Sequence, residues 1–150
     1  MATGLNVADL VIRPDEPIAV SDWVEVTQQA IDAFANVTGD SQWIHTDPVR
    51  AAGSSFGSTV AHGFLTLSLF TRLLSTSVSL TGVSMAVNYG LNKVRFIEPV
   101  PAGSRIRAAF AIADVTPVDR AVQVTWHVTI EREGAARPCC AAEWLVRYYR

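Results

Sequence analysis

The chain has 150 residues, 49% hydrophobic and 17% charged, at a formal net charge of −2. That length suits one domain with a substantial core, and the apolar content excludes a disordered chain. Without a Lys/Arg run there is no basic field for nucleic acid, and so few charges point to apolar surface buried between subunits.

Residues 1–18 carry no clear period, with Pro14 and Pro17 bracketing Asp15 and Glu16. They read as an N-terminal arm on a single domain spanning 1–150, and they lack the basic, apolar and small-residue order of a signal peptide. Residues 21–26 alternate as a short strand. Thr27 is a suitable N-cap, and 28–37 sets Ile31, Phe34, Ala35 and Val37 near one helical face. Gly39 ends that helix, where a positive φ is easily taken. From Asp40 to Val60 no period is visible, and Trp43 and Phe56 mark the stretch as a packed irregular segment, the kind of long loop that usually carries function.

The spacing predicts a helix over 61–78, apolar around nearly all its circumference and so buried. No apolar run approaches the roughly 20 residues of a membrane span. Beyond Gly82 the period changes to two. Val83, Met85, Val87, Tyr89 and Leu91 alternate, and the phase slips at Asn92-Lys93, predicting a bulge. Pro99 to Gly103 is a turn. Ile106 to Ile112, Val122 to Ile130 and Cys140 to Tyr148 alternate in turn, joined by short turns at 117–120 and 133–134 that imply antiparallel neighbours. His127 faces outward in this pattern. Cys139 and Cys140 are adjacent and without metal-ligand spacing, so they read as reduced cysteines in a strand. The expected fold is α+β, one long central helix wrapped by a curved antiparallel β-sheet, in a soluble cytoplasmic protein.

Chemistry concentrates around the central segment. Asp40 and His45 are five positions apart and off any common helical face, so a loop must bring them together. An imidazole is readily poised near neutral pH, and a carboxylate beside it fixes its tautomer and raises its basicity. Such a pair activates one water molecule. The helix start at Ala61-His62-Gly63 leaves backbone N–H groups free to stabilise a developing anion, and Gly63 permits close approach to the backbone. His62 either orients the loop or lines the site. A water-activating pair facing such donors suits attack on an acyl group or on its conjugated alkene.

These residues resemble the MaoC-like, R-specific enoyl-CoA hydratases of the hot dog fold. Their motif is a small residue, Gly, Asp, four residues, His, five residues, then Ala or Ser; Thr38-Gly39-Asp40, His45 and Ala51 stand at those spacings. Ala61-His62-Gly63-Phe64 is similar to the family's helix opening, and Lys93-Val-Arg-Phe96 with Pro99-Val100 to its strand and turn. The chain departs at Gln42-Trp43, where the family commonly has Asn-Pro.

The resemblance implies reversible addition of water to a trans-2-enoyl-CoA, giving the (R)-3-hydroxyacyl-CoA. Asp40 and His45 would hold and deprotonate the water, and the Gly63 N–H would stabilise the enolate-like oxygen. Thr71 falls where relatives place a hydroxyl near the pair, and Asn88 with Tyr89 would line an acyl tunnel. Lys93 and Arg95 are either solvated edge charges or contacts to CoA phosphates. No cofactor or metal is implied, and relatives with one such domain pair as homodimers. Rival readings are a thioesterase of the same fold and a non-catalytic acyl-thioester-binding subunit of a heteromeric dehydratase.

Overall fold

Three long antiparallel strands make the frame, and their order is what positions everything else. The computed structural model describes residues 2–150. Strand β6 (Arg105–Val118) pairs β7 (Ala121–Arg132), and β7 pairs β8 (Cys140–Tyr149). β8 pairs β5 (Met85–Phe96), while β2 (Ala19–Val20) and β3 (Val24–Glu25) both border β6, giving the order β2-β6-β7-β8-β5. Alternation dictates one apolar face. Ile106, Ala108, Phe110, Val124, Trp126, Val128, Ile130, Trp144, Val146 and Tyr148 fill it, and all are buried. Burying one such side chain is worth about 1.5–3 kcal/mol. Trp126 donates its Nε1–H to the Tyr148 hydroxyl at 3.0 Å, so its one polar atom enters the core satisfied.

On that face lies the helix, in two pieces: α4 (Gly63–Ser68) and α5 (Phe70–Ser77). At the junction the Leu69 N–H is shared between the carbonyls of Leu65 and Thr66, at 3.1 and 3.3 Å, a local tightening of the turn. Phe70, Leu73 and Leu74 join the strand residues in one apolar cluster. The α+β class follows as expected, but the helix is not buried all round. Phe64, Ser68, Thr71 and Ser75, spaced to share one face, are exposed. That face and β5 together form an open flank.

The first helix is capped as its sequence predicts, with Ile31 and Ala35 buried, but Val37, expected near the same face, is 86% exposed on its last turn. In α1 (Gln28–Thr38), Thr27 Oγ1 accepts the Ala30 N–H at 3.1 Å, and Gly39 ends the helix at φ 75° with its N–H on the Ala35 carbonyl. The predicted bulge lies where the phase slips, with a register shift between Asn92 and Arg95 and Lys93 at φ 48°; a second shift at Asn88–Gly90 was not visible in the pattern.

Two expectations change. Of the stretch 21–26 only β3 (Val24–Glu25) is strand, with β2 ending just before it at Val20, because Ser21 turns inward: its Oγ accepts the Ala108 N–H at 2.9 Å, replacing a strand's own pairing. The arm is ordered, with β1 (Thr3–Asn6) running parallel to β4 (Val78–Thr81). Arg13 and Ile18 then donate their N–H groups to Ile112 and Phe110. Val7 enters the core and Leu5, Leu10 and Ile18 pack against it, but these anchors are irregularly spaced and the rest of the arm is held by backbone bonds, which leaves no side-chain period to read. Cys139 and Cys140 are free and buried, and burial pushes the Cys140 thiol up to about 11. Among the described residues, no helix is long and apolar enough to cross a membrane.

Candidate active site

The segment expected to be irregular contains two short helices, and these place the histidine. In α2 (Trp43–Thr46), Trp43 occupies the first helical position, where no N–H partner is required. That is why Gln42-Trp43 can stand where relatives carry Asn-Pro, and Arg50 lies 4.3 Å over the Trp43 ring. α3 (Pro48–Ala52) starts with Asp47 as N-cap, its carboxylate accepting the Arg50 N–H at 2.9 Å, and Pro48 at its head. An Asp-Pro pair is a helix start, so that signal was present in the sequence.

His45 is buried, and its Nδ1 lies 2.6 Å from the Val60 carbonyl. A carbonyl only accepts, so Nδ1 carries the proton and Nε2 presents a bare lone pair. The tautomer is therefore set by Val60, not by Asp40 as the sequence suggested. Val60 is itself held, its N–H reaching the Ile44 carbonyl at 3.0 Å. Gln28 of α1 adds a clamp: its Nε2 donates to the His45 carbonyl at 2.8 Å, and its Oε1 accepts from Thr59. Sequence reading missed Gln28 and Val60 because neither residue type signals chemistry.

Asp40 follows Gly39 at the open end of α1, its side chain 55% exposed. No direct hydrogen bond joins Asp40 to His45 among the described residues. A carboxylate oxygen of Asp40 and a ring nitrogen each of His45 and His62 lie within 4.8 Å of one another. Two groups that share one water, each about 2.8 Å from it, sit up to about 5 Å apart. The spacing suits one bound water between carboxylate and imidazole. The same three groups have the composition of a metal site. The His45 and His62 rings are stacked, however, 3.8 Å apart at 25°, so their in-plane lone pairs do not converge on one ion.

His62 is buried beside this pair, and Gly63 follows it as the first residue of α4. The Gly63 N–H has no hydrogen-bond partner among the described residues, as expected of a first helical position. The reason for glycine is different from the one expected. A Cβ there would meet the Phe96 ring at 2.9 Å, so the space belongs to β5 packing against the helix start.

Thr71 and Asn88 are not brought to this cluster. Thr71 lies eight residues beyond Gly63, about 12 Å along the helix axis. With Asn88, Leu74, Val78, Trp144 and Tyr148 it lines an open groove of about 400 Å³ between α5 and β5. Its hydroxyl is exposed and makes no hydrogen bond among the described residues, unlike Ser68, which bonds back to Phe64 at 2.7 Å. Tyr89 is also on the open flank, with Arg147 3.5 Å over its ring. Lys93 is bound to Glu143 at 2.9 Å, which holds that carboxyl below its usual range, so Lys93 is a paired charge. His127 is half-buried, with Nδ1 3.0 Å from the Pro14 carbonyl, and helps dock the arm.

Residues 9–133 match the family described as MaoC like domain. The chain is 50% identical over 149 residues to the 3-hydroxyacyl-thioester dehydratase Z of Mycobacterium tuberculosis, covering 99% of each chain. It is 42% identical over 144 residues to Nodulation protein N of Rhizobium leguminosarum bv. viciae, covering 94% of this chain and 89% of that one. Among solved structures, the unliganded R-hydratase PhaJ1 of Pseudomonas aeruginosa superposes at a TM-score of 0.77 with 20% identity, over 96% of this chain and 85% of that one. That likeness carries the fold.

Proposed function

We propose that this chain, which belongs to the MaoC-like domain family, is an (R)-specific enoyl-CoA hydratase, or 3-hydroxyacyl-CoA dehydratase in reverse. The observation that carries this reading is the His45 imidazole, its Nδ1 proton held by the Val60 carbonyl, with a ring nitrogen within a water's span of the Asp40 carboxylate. The identity to a 3-hydroxyacyl-thioester dehydratase over the whole length supports it.

In the hydration direction, the Asp40–His45 pair holds one water and takes its proton as the oxygen bonds to C3 of the trans-2-enoyl thioester. The alkene electrons move to the thioester oxygen, where the Gly63 N–H donates to the enolate. The enolate collapses as the pair returns a proton to the α-carbon, so water is added with no net proton change. The two groups are coupled and share their titration. The reaction draws on no cofactor and no metal, CoA being part of the substrate.

The working unit in this reading is a homodimer. β5 is bonded to β8 on one side only, and it exposes Met85, Val87, Tyr89, Leu91 and Phe96 beside exposed Phe64. A long apolar edge strand of this kind recruits another strand, and a second copy of β5 meets the same pattern. The groove holding Thr71 and Asn88 borders that edge, and in this reading it takes the acyl chain. Two buried free thiols suit the reducing cytoplasm.

The test is crotonyl-CoA mixed with the purified protein, following alkene absorbance and free thiol together. Hydration predicts alkene loss without thiol release, with (R)-3-hydroxybutyryl-CoA as the product on chiral analysis. Thiol release would make the chain a thioesterase, and neither signal would leave it a binding subunit.

A further inference from the structure

We infer that His62 is the positioning residue that holds Asp40 in register with His45, an assignment that rests on the hydration reading above. Asp40 has little else to hold it. Its N–H reaches only Thr38 Oγ1, at 3.4 Å, and its side chain is largely exposed just past a helix end. His62 Nε2 lies 2.8 Å from the Asp40 backbone carbonyl. The carbonyl accepts, so His62 carries its proton on Nε2, leaving Nδ1 buried and without a partner. That tautomer makes the ring a one-ended tether aimed at Asp40. The same Nε2 is 4.0 Å from the Asp40 carboxylate, so the tether meets the residue on both its backbone and side-chain sides.

The ring's faces fix its direction. One packs on the His45 imidazole at 3.8 Å and 25°, and Phe34 of α1 sits 5.0 Å away, tilted at 52°. His62 is only 2% exposed, and its carbonyl accepts the Thr66 N–H in α4. The rigid helix start thus sets the ring, and the ring sets both Asp40, through a hydrogen bond, and His45, through stacking. A packing role alone would be met by an apolar ring, with no donor pointed at that carbonyl. Misplacement of a reacting group by about 1 Å costs on the order of 100-fold in rate, which sets the scale of the effect.

Three variants separate tethering from packing. Gln at this position carries an amide N–H that reaches where Nε2 does, Asn falls one methylene short, and Leu fills volume without a donor. With crotonyl-CoA, His62→Leu and His62→Asn are expected to lose about 10- to 100-fold in kcat with KM little changed. His62→Gln recovers most of that loss, and melting curves confirm that each variant is folded. The backbone ¹³C=O resonance of Asp40, which moves when its hydrogen bond is lost, reads the tether without turnover. It shifts in the Leu and Asn variants and returns towards wild type in the Gln variant. Wild-type inactivity with that resonance pattern intact would defeat the hydration reading and leave the tether standing. An unshifted resonance in the Leu variant, or a Gln variant as slow as Leu at equal melting temperature, would overturn the inference.

Discussion

Strands β7 and β5 are each twelve residues long and alternate apolar side chains with the same period, yet they meet different surroundings. On β7, Val122, Val124, Trp126, Val128 and Ile130 are all at most 6% exposed, whereas on β5 Met85, Val87, Tyr89 and Leu91 are 40–55% exposed. β7 lies between β6 and β8; β5 is the last strand of the sheet. Alternation identifies a pleated strand with an apolar face, and it is silent about whether that face meets the chain's own core or another surface. The helix repeats the contrast: Leu73 is fully buried while Phe64, two turns and more away on another face, is 70% exposed.

The largest effect expected from this contrast is at the closed strand. Trp126→Ala should cost about 3–5 kcal/mol in denaturant unfolding, from the lost burial and the cavity left behind. On the open strand the corresponding change should act on association. Tyr89→Asp, near the middle of β5, sets a charge against its own copy across an antiparallel pairing, and sedimentation should show half the wild-type mass with the fold intact. A monomeric wild type, or a variant that stays paired, would break the β5 interface.

A finer contrast uses two tyrosines. Tyr148→Phe leaves the buried Trp126 N–H without its acceptor, at about 1–3 kcal/mol, while Tyr89→Phe should fall within about 0.5 kcal/mol. Burial raises the Tyr148 phenol to about 12. The folded state thus favours the neutral form, and this contribution is complete below pH about 10 and lost as pH rises towards about 12, an amount of about 2–3 kcal/mol. Unfolding curves across that range should steepen their decline in wild type and not in Tyr148→Phe.

Most of the frame was legible because it rests on local chemistry. The Thr27 and Gly39 caps, the three alternating strands and the bulge at Lys93 are each written in side chains whose conformational preferences are strong. Ser21 shows the opposite case, a polar residue made structural by a backbone partner 87 positions away. The site divides similarly. Asp40, His45 and His62 do converge, but the Val60 carbonyl that selects the His45 tautomer is a backbone atom, which no side-chain pattern announces. Thr71 and Asn88 were placed by resemblance, and within one chain they lie along the helix from the cluster.

The central claim is that Asp40 and His45 act as one water-activating pair. It is tested most directly by the rate of crotonyl-CoA hydration in Asp40→Asn and His45→Gln, singly and combined, with folding checked by melting. Groups that act as a unit are strongly non-additive, so each single variant should lose nearly the full rate, by about 10³-fold or more, and the double variant little beyond it. Independent, multiplying losses, or a single variant that keeps wild-type rate, would contradict the pair.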